Sequence, residues 1–315
     1  MAGRNQFAEF RIAYIQLTIL LIALALQSCW SPSTPRDARL KPTYVTDNFK
    51  SYWYSGKAEI NVFKLDQSRY GENRDGKAIL IFVSEDFSMK KHVKMDNPDA
   101  DLADKVNVLK MNFAKNFVTG IYPYSMMLSV FSAVNQNPHP LKVTMSSQEW
   151  CGHVFSQLDL DQEKYIVHTH SYFENDRDEQ VSLKAAWLED ELWNLIRLDP
   201  EKLPLGQIEI IPGLFFTRLN HVSNQVTKAT SGKEKRGDDI QYTVNFNDGE
   251  RILAITYQKD FPHKIYSWDE YLQVKGRKLH TVATLEKTLI TDYWRKNSNE
   301  FLYLRDSLGL SSHNY

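Results

Sequence analysis

Alternation of apolar and polar residues is the feature that most constrains how this chain can fold. The clearest case is IQYTVNFNDGERILAITY, where apolar residues occupy every second position over residues 240–246. Side chains two apart in a strand point to the same face, so this pattern is typical of a half-buried strand. Asp248-Gly249 and a second apolar run over residues 252–257 follow. An aspartate–glycine pair between two such runs predicts a β-hairpin.

The same pattern recurs along most of the chain and predicts a mainly β fold. Apolar runs such as AEINV, AILIFV and KYIVHTH are separated by segments rich in turn residues. We predict about a dozen mostly antiparallel strands, arranged as a curved sheet, a sandwich or an open barrel. Polar stretches at residues 66–76 and 223–239 predict long loops between strands.

One segment has the period of a helix instead. Ala185, Leu188, Leu192, Leu195 and Ile196 are spaced by three and four residues. Ser182 can cap the start of such a helix, and Pro200 lies just beyond its end. We therefore predict one prominent helix at about residues 183–198 and a β-rich α+β fold overall.

The first residues have the pattern of a lipoprotein signal peptide. Arg4 and Arg11 flank the start of an almost unbroken apolar run over residues 12–26. As a helix, this run would span roughly 22 Å at about 1.5 Å per residue, short of the ~30 Å hydrocarbon core. Leu26-Gln27-Ser28-Cys29 resembles a bacterial lipobox. We predict a signal peptide over residues 1–28 and membrane attachment through lipid on Cys29.

The rest of the chain divides into a linker and one domain. Residues 29–50 contain three prolines among serine and threonine, which is linker composition, and residues 51–315 are predicted to form a single β-rich domain. The formal net charge of −1 gives no basic footprint for nucleic acid. Trp30 replaces the aspartate that marks inner-membrane retention in many bacteria. We therefore expect a periplasm-facing lipoprotein of the outer membrane.

Four residues are candidate metal ligands. Cys151 and His153 are two positions apart in one strand-like run, and His168 and His170 repeat this spacing in the next. In a hairpin symmetric about residues 160–161, Cys151 would face His170 and His153 would face His168. Such a group suits zinc. Alternatively, the cysteine packs as a small apolar residue and the histidines are exposed or hydrogen-bonded.

The same cluster permits an enzyme interpretation. Cys151 would be the nucleophile and His170 its base, with Glu149 or Glu174 nearby. A metal-dependent or cysteine-dependent envelope hydrolase is thus an alternative function. The sequence offers neither an oxyanion hole nor a clear orienting acid, so it favours binding or scaffolding over catalysis.

Aromatic residues suggest a ligand-binding groove. The candidates are Trp53, Tyr54, Tyr122, Tyr124 and Trp150. Flat, amphipathic rings suit a glycan, a lipid or a peptide. Aromatic residues also fill the cores and rims of β-sheets, so that alternative stays open.

Several sequence blocks between residues 50 and 310 carry a family resemblance. They are YWYSGKAEI, RYGE, AILIFVSEDF, GIYPYSMM, QEWCGH, SYFE, ELWNLIR, YWRKNSN and LRDSLGL. Together they resemble a family of bacterial lipoproteins of roughly this length. The resemblance implies an envelope location and assigns no catalytic residue. Some members carry the label septum formation inhibitor Maf.

The label points to a third function, a Maf-type nucleotide pyrophosphatase. Only residues 33–36, Ser-Thr-Pro-Arg, resemble a motif of that enzyme, and its later acidic motifs do not occur in this chain. We predict instead a lipid-anchored protein that binds a lipid, a glycan or an envelope protein, or acts as a scaffold. Zinc is the one cofactor that the sequence suggests.

Overall fold

The computed structural model describes residues 45–97, 99, 101–135 and 139–310. The predicted signal peptide, the lipid attachment at Cys29 and residues 29–44 of the predicted linker lie outside the described residues. Within the described ranges, no helix has the length and apolar character needed to cross a membrane.

Sixteen strands of the described chain form one large sheet. Neighbouring strands are antiparallel, except for the parallel pair β10 and β11. The strands are β1 Ala58–Arg69, β2 Glu72–Ser88, β3 Val93–Lys94, β4 Lys105–Thr119, β5 Tyr122–Ala133, β6 Lys142–Glu149, β7 Gly152–Asp161, β8 Lys164–Ser171, β9 Glu179–Lys184, β10 Trp187–Leu188, β11 Gly206–Ile211, β12 Thr227–Arg236, β13 Asp239–Phe246, β14 Arg251–Gln258, β15 Ile265–Val274 and β16 Arg277–Thr291.

The order of the strands leaves the sheet open. From edge to edge it runs from β10 through β16 in sequence, then β1, β2 and β4, and on in sequence to β9, while β3 pairs with the end of β2. The sheet is curved, and its strands alternate between buried and exposed side chains, as in β5. This architecture confirms the mainly β fold predicted from the alternating residues.

Four short α-helices accompany the sheet in the described ranges. They are α1 Asp47–Trp53, α2 Leu192–Leu198, α3 Leu214–Asn220 and α4 Tyr303–Ser307. Every residue of α2 is buried. The ring of Trp193 in α2 meets those of Phe113 and Trp268 at centroid distances of 5.3 and 5.2 Å. The curved sheet therefore encloses α2 and buries it in the largest apolar cluster.

The predicted helix at residues 183–198 is shorter in the structure. Its first residues belong to β9 and β10, and a 3-10 turn at Glu189–Glu191 precedes α2. A helix that is covered on all sides has no polar face, so apolar spacing does not define its limits. Part of the predicted helical spacing came from strand residues, which are buried because of their place in the sheet.

Two predicted loops are strands in the structure. At residues 66–76, β1 and β2 continue to a tight turn at Tyr70-Gly71, where φ is +57° and +81°. Two successive residues with positive φ are what a two-residue hairpin turn requires. Residues 223–239 contain β12. Polar residues occur in these strands because one face of an antiparallel sheet can be in contact with water.

Two other predictions have clearer outcomes. The hairpin around Asp248-Gly249 is confirmed, since β13 pairs with β14 from Asp239 opposite Gln258 to Phe246 opposite Arg251. The folded region, in contrast, begins inside the predicted linker of residues 29–50. Helix α1 starts at Asp47, capped by the Thr46 hydroxyl, and buries Phe49.

The sheet has two ends that differ in what covers them. One end, which we call the α1 end, carries α1 and the loop at residues 259–264. The other, the α3 end, carries α3 and the turns at residues 70–71, 120–121, 150–151 and 275–276. The antiparallel pairing of the strands fixes this assignment.

Candidate functional site

Helix α3 is held across the α3 end by two acidic side chains. The N–H of Gly213 donates to Glu189 Oε2, and that of Leu214 donates to Asp190 Oδ2, both at 3.0 Å. The first N–H groups of a helix have no partner within the helix, and carboxylates stabilise them. A Cβ atom at position 213 would lie 2.8 Å from Glu189 Oε1, so glycine permits this close approach.

A cleft of about 430 Å³ lies beside α3. We call it the polar cleft. Its size falls within the roughly 300–1,000 Å³ of small-molecule sites. Its floor comes from inward-facing side chains of β6, β7 and β8, and its walls from α3 and two loops at the α3 end. The lining residues are Met145, Val154, Ser156, Thr169, Glu174, Asp176, Arg177, Glu179, Thr217, Arg218, His221, Val222, Ser223 and Asn224.

A network of charged groups organises one wall. Arg218 of α3 has a side chain only 3% exposed, and its Nη1 lies 3.2 Å from Asp176 Oδ2. The same carboxylate oxygen lies 2.9 Å from His221 Nδ1, just beyond α3. The Arg218 guanidinium also stacks on the Phe173 ring at 4.5 Å, and its Nη2 lies 3.7 Å from Glu149 Oε1. Arg218 is therefore fixed in position by groups on three sides.

The floor contributes two buried hydroxyl groups. Ser156 Oγ on β7 and Thr169 Oγ1 on β8 are 3.1 Å apart and hydrogen-bonded to each other. They face the cleft because they occupy the inward positions of two paired strands, where Ser156 lies opposite Thr169. Each hydroxyl keeps further capacity to donate or accept a hydrogen bond.

Two lining atoms lack a partner among the described residues. Arg218 Nε is a buried donor without an acceptor, and Asn224 Oδ1 is a buried acceptor without a donor. Buried polar groups are nearly always hydrogen-bonded, so each such group needs an explanation. A ligand that both donates and accepts hydrogen bonds could satisfy the two atoms together. A hydroxyl group does both.

The predicted metal ligands are not brought together as expected. The hairpin of β7 and β8 turns at residues 162–163, so His170 lies opposite Phe155 rather than Cys151. The predicted symmetry about residues 160–161 was therefore wrong. Gln162 takes a positive φ of +56° in this turn, and the local sequence has no glycine or asparagine to signal it.

The strand register also separates His153 from His168, the other pair predicted to face each other. His168 lies opposite Gln157, and His153 lies beyond the end of the ladder, where its carbonyl accepts from the N–H of Tyr172. The strand histidines occupy the outward-facing positions of β7 and β8. Within the described residues, no group of three or more His, Cys, Asp and Glu side chains could hold a metal ion.

Cys151 lies exposed in the turn between β6 and β7. A hydrogen bond with Glu149, and the charge of that carboxylate, raise the pKa of the Cys151 thiol. Thiolate is the nucleophilic form, so a raised pKa reduces its amount at neutral pH. Glu149, which was predicted to lie near the nucleophile, therefore reduces the amount of thiolate. His170, the predicted base, lies near Asp178 instead, with Nδ1 3.6 Å from Asp178 Oδ2.

The predicted aromatic groove is divided between the two ends of the sheet. Trp53 is buried at the α1 end, where its ring meets that of Phe82 at 6.2 Å, and Tyr54 beside it is partly exposed. Tyr124 is buried at the α3 end, and Tyr122 is partly buried near it. Trp150 is 69% exposed in the β6–β7 turn. These residues do not form one groove.

Apart from Glu174, which the sequence suggested as an acid near Cys151, the residues of the polar cleft were missed by sequence reasoning. They lie in separate segments between residues 145 and 224, and only Glu174 belongs to one of the quoted sequence blocks, SYFE. His221 is a lone histidine, and Arg218 resembles any arginine at the end of a helix. The strand register and the position of α3 bring them together, and the sequence signals neither.

The fold and the cleft define a class of protein: an open, curved, mainly antiparallel sheet that encloses a buried helix and carries a polar cleft at one end. No protein-family model matches the chain, and no curated protein sequence matches it. The resemblance to the bacterial lipoprotein family stays a prediction from the sequence blocks.

Proposed function

We propose that this protein is a lipid-anchored envelope protein that binds a polyhydroxylated ligand, such as a saccharide, in the polar cleft. It faces the periplasm from the outer membrane, and it binds rather than transforms its ligand.

The observation that carries this proposal is the state of Arg218. The side chain is buried and held by Asp176, yet its Nε donor has no partner among the described residues. The guanidinium therefore keeps an unused donor in the wall of the cleft. A preorganised donor in a cleft of this size is typical of a binding site, because little ordering is needed when a ligand arrives.

The lining indicates the kind of ligand. Hydroxyl, carboxylate, guanidinium, imidazole and amide groups form most of it, and the apolar contribution comes from Met145, Val154 and Val222. A lipid chain would find too few apolar contacts there. Carboxylates such as those of Asp176 and Glu174 accept hydrogen bonds from hydroxyl groups, whereas Arg218 and His221 can donate to them. This mixture fits a sugar better than an anion or a fatty acid.

The position of the cleft is compatible with anchoring. The described chain begins at Val45, next to α1, so the proposed tether joins the domain at the α1 end. The cleft lies at the opposite end of the sheet.

Binding is tested with the full-length protein, purified in detergent and titrated with chitotriose and maltotriose by calorimetry. The proposal expects one of these saccharides to bind, and Arg218→Lys to weaken binding at least tenfold, because lysine replaces the planar guanidinium by a single ammonium group. Arg236→Lys, in an exposed strand end away from the cleft, is the matched control and should bind normally.

Failure of every saccharide to bind a folded protein would reject the saccharide, and equal binding by the Arg218→Lys protein would reject the cleft. Anchoring is tested separately by incorporation of a fatty-acid label in cells. The wild type should be labelled and Cys29→Ser should not. Equal labelling of the two would refute attachment at Cys29.

A further inference from the structure

A second, smaller cavity lies on the other side of α3. Its volume is about 70 Å³, and it belongs to β1, β4, β15 and β16 rather than to the strands of the polar cleft. It shares no lining residue with that cleft. The residues that line it are Gln67, Ser68, Arg69, Tyr70, Lys115, Phe215, Phe216, Leu219, Asn220, Glu270, Leu272, Leu279 and Thr281.

The first unusual feature of this cavity is Lys115. The residue is buried on the inward face of β4, and its Nζ donates to Gln67 Oε1 at a long distance of 3.4 Å. The ammonium also lies 5.4 Å from the centre of the Phe113 ring and 5.3 Å from that of Phe215. An ammonium has three N–H donors, so Lys115 retains capacity for a further acceptor. Lysine is almost never buried without a charge partner.

Arg69 provides a second cation at the same cavity. Its guanidinium donates to the Leu219 carbonyl and to the hydroxyls of Tyr70 and Tyr124, the latter two at 3.2 and 3.3 Å. Its Nε has no partner among the described residues, and neither has the hydroxyl of Ser68. The cavity therefore combines two buried cations and a hydroxyl, all with unused hydrogen-bond donors.

The surrounding charges limit the charge of an occupant. Glu270 also lines the cavity, but its Oε1 lies 2.6 Å from Arg251 Nε, which neutralises much of its charge. Arg251 is in turn paired with Glu189. Burial lowers the pKa of Lys115, although the charges of Glu270 and Glu189 act in the opposite direction. One additional negative charge near Lys115 would be favourable here, whereas a dianion would meet the Glu270 carboxylate.

Size and apolar lining narrow the choice further. A water molecule needs roughly 10–15 Å³ of cavity volume measured in this way, so the cavity has room for about five non-hydrogen atoms. Phe215, Leu272 and Leu279 supply an apolar wall of the cavity. Tyr70 lines the cavity and is 61% exposed, so the cavity reaches the surface at the β1–β2 turn.

We propose that this second cavity binds the carboxylate of a small organic acid, with Lys115 and Arg69 as its donors and the apolar wall in contact with its short alkyl group. The inference concerns a site separate from the polar cleft. It holds whether or not the cleft binds a saccharide.

The test uses the full-length protein in detergent, with propionate as the probe. Propionamide has the same shape without the charge, and inorganic phosphate is the competing anion. Calorimetry and thermal unfolding at constant ionic strength should show that propionate binds and raises the melting temperature. The same concentration of propionamide or phosphate should not.

Two variants separate binding from folding. Lys115→Met should weaken propionate binding at least tenfold, but it also removes a buried charge and can impair folding. Leu279→Phe keeps every charge and fills the cavity, so it should abolish binding in a folded protein. Leu205→Phe, at an exposed position outside the cavity, is the matched control and should bind as the wild type does.

Several results would overturn the proposal. They are no propionate binding by the folded wild type, equal binding by the Leu279→Phe protein, and binding of phosphate in preference to propionate. None of these results bears on saccharide binding, which is measured with different probes and a different variant.

Discussion

At the α1 end of the sheet, Arg197 and Glu59 form a bidentate ion pair with N–O distances of 2.5 and 2.7 Å. The remaining Nε of Arg197 donates to the Pro262 carbonyl at 3.0 Å. At the α3 end, Arg218 is buried to a similar extent, yet its Nε is unpartnered. Each side-chain nitrogen of Arg197 has a partner, as does each of Arg251 at the α3 end, whereas Arg218 keeps one nitrogen without a partner among the described residues.

Two buried carboxyl groups, one at each end, differ in the direction of their pKa shift. Burial alone would raise the pKa of the Glu59 carboxyl, but Arg197 and the hydrogen bonds from Tyr52 and Asn61 lower it to about 2. At the α3 end, burial and the neighbouring charge of Glu189 raise the pKa of Asp190 to about 7. One carboxylate is stabilised in its charged form, and the other is destabilised.

The comparison separates stability from function. At the α1 end, the ion pair of Arg197 with Glu59 is satisfied by the fold, so its loss should destabilise the protein. At the α3 end, Arg218 and Asn224 each keep an atom without a partner among the described residues beside the polar cleft, so their loss should affect binding more than folding. This difference can be measured in four substitutions.

The largest effect is expected for Glu59→Gln. The change leaves the Arg197 guanidinium buried without its counter-charge, which typically costs about 3–5 kcal/mol. Urea unfolding at pH 7 measures the loss. Glu72→Gln is the control, because Glu72 pairs with Arg74 at the surface and should cost less than about 1 kcal/mol. Equal effects of the two substitutions would contradict the importance of the buried pair.

Asp190→Asn should change how stability depends on pH. The folded pKa of about 7 exceeds the ordinary aspartate pKa of 3.8, so the favourable contribution of the protonated form is complete below about pH 4. It is lost as the pH rises through about 7. At roughly 1.4 kcal/mol per pKa unit, the upper limit is about 4 kcal/mol. Unfolding at pH 5 and pH 8 should show that the variant gains stability relative to the wild type at pH 8. An unchanged difference between the two pH values would be inconsistent with a raised pKa.

Ser156→Ala is expected to have a smaller effect. It removes the hydroxyl that bonds to Thr169 and should cost about 1 kcal/mol. Ser147 on the adjacent strand is also buried, but its hydroxyl has no partner among the described residues. Ser147→Ala should therefore be neutral or slightly stabilising. Thermal unfolding of the two variants side by side measures this difference. A greater loss of stability for Ser147→Ala than for Ser156→Ala would contradict the hydrogen bond assigned to Ser156.

The smallest effect on stability is expected for Asn224→Ala. Its Oδ1 makes no hydrogen bond with the described residues, so the free energy of unfolding should change by less than about 0.5 kcal/mol. Saccharide binding should nevertheless fall about tenfold, because the ligand loses an acceptor. Asn48→Ala, on the exposed side of α1, should alter neither quantity. Normal binding by the Asn224→Ala protein would remove this residue from the site.

Sequence patterns were informative where the physical cause was local. Alternating apolar and polar residues indicate a sheet with one face in contact with water. Asp248-Gly249 indicates a turn that needs positive φ, so this hairpin could be predicted. The turn at residues 162–163 has the same geometric need at Gln162 without a residue that signals it. The predicted register around the histidines was wrong for that reason.

The limits of α2 and the polar cleft depend on distant parts of the chain. Whether Trp193 or Arg197 is buried is decided by strands that precede and follow α2 by many residues. Likewise, Arg218 meets Asp176 because α3 crosses the end of the sheet. Local sequence patterns indicate neither of these contacts, so neither the limits of α2 nor the polar cleft could be predicted.

The pairing of β1 with β16 has a consequence for how the protein is made. Ala58 lies opposite Thr291, so two strands from opposite ends of the domain join in the middle of the sheet. Pairing over such a separation is entropically costly and slow to form. A chain that emerges from its amino end cannot complete the sheet until its last strand is available. We therefore expect the growing chain to stay incompletely folded, and open to chaperones and proteases, until its synthesis is nearly complete.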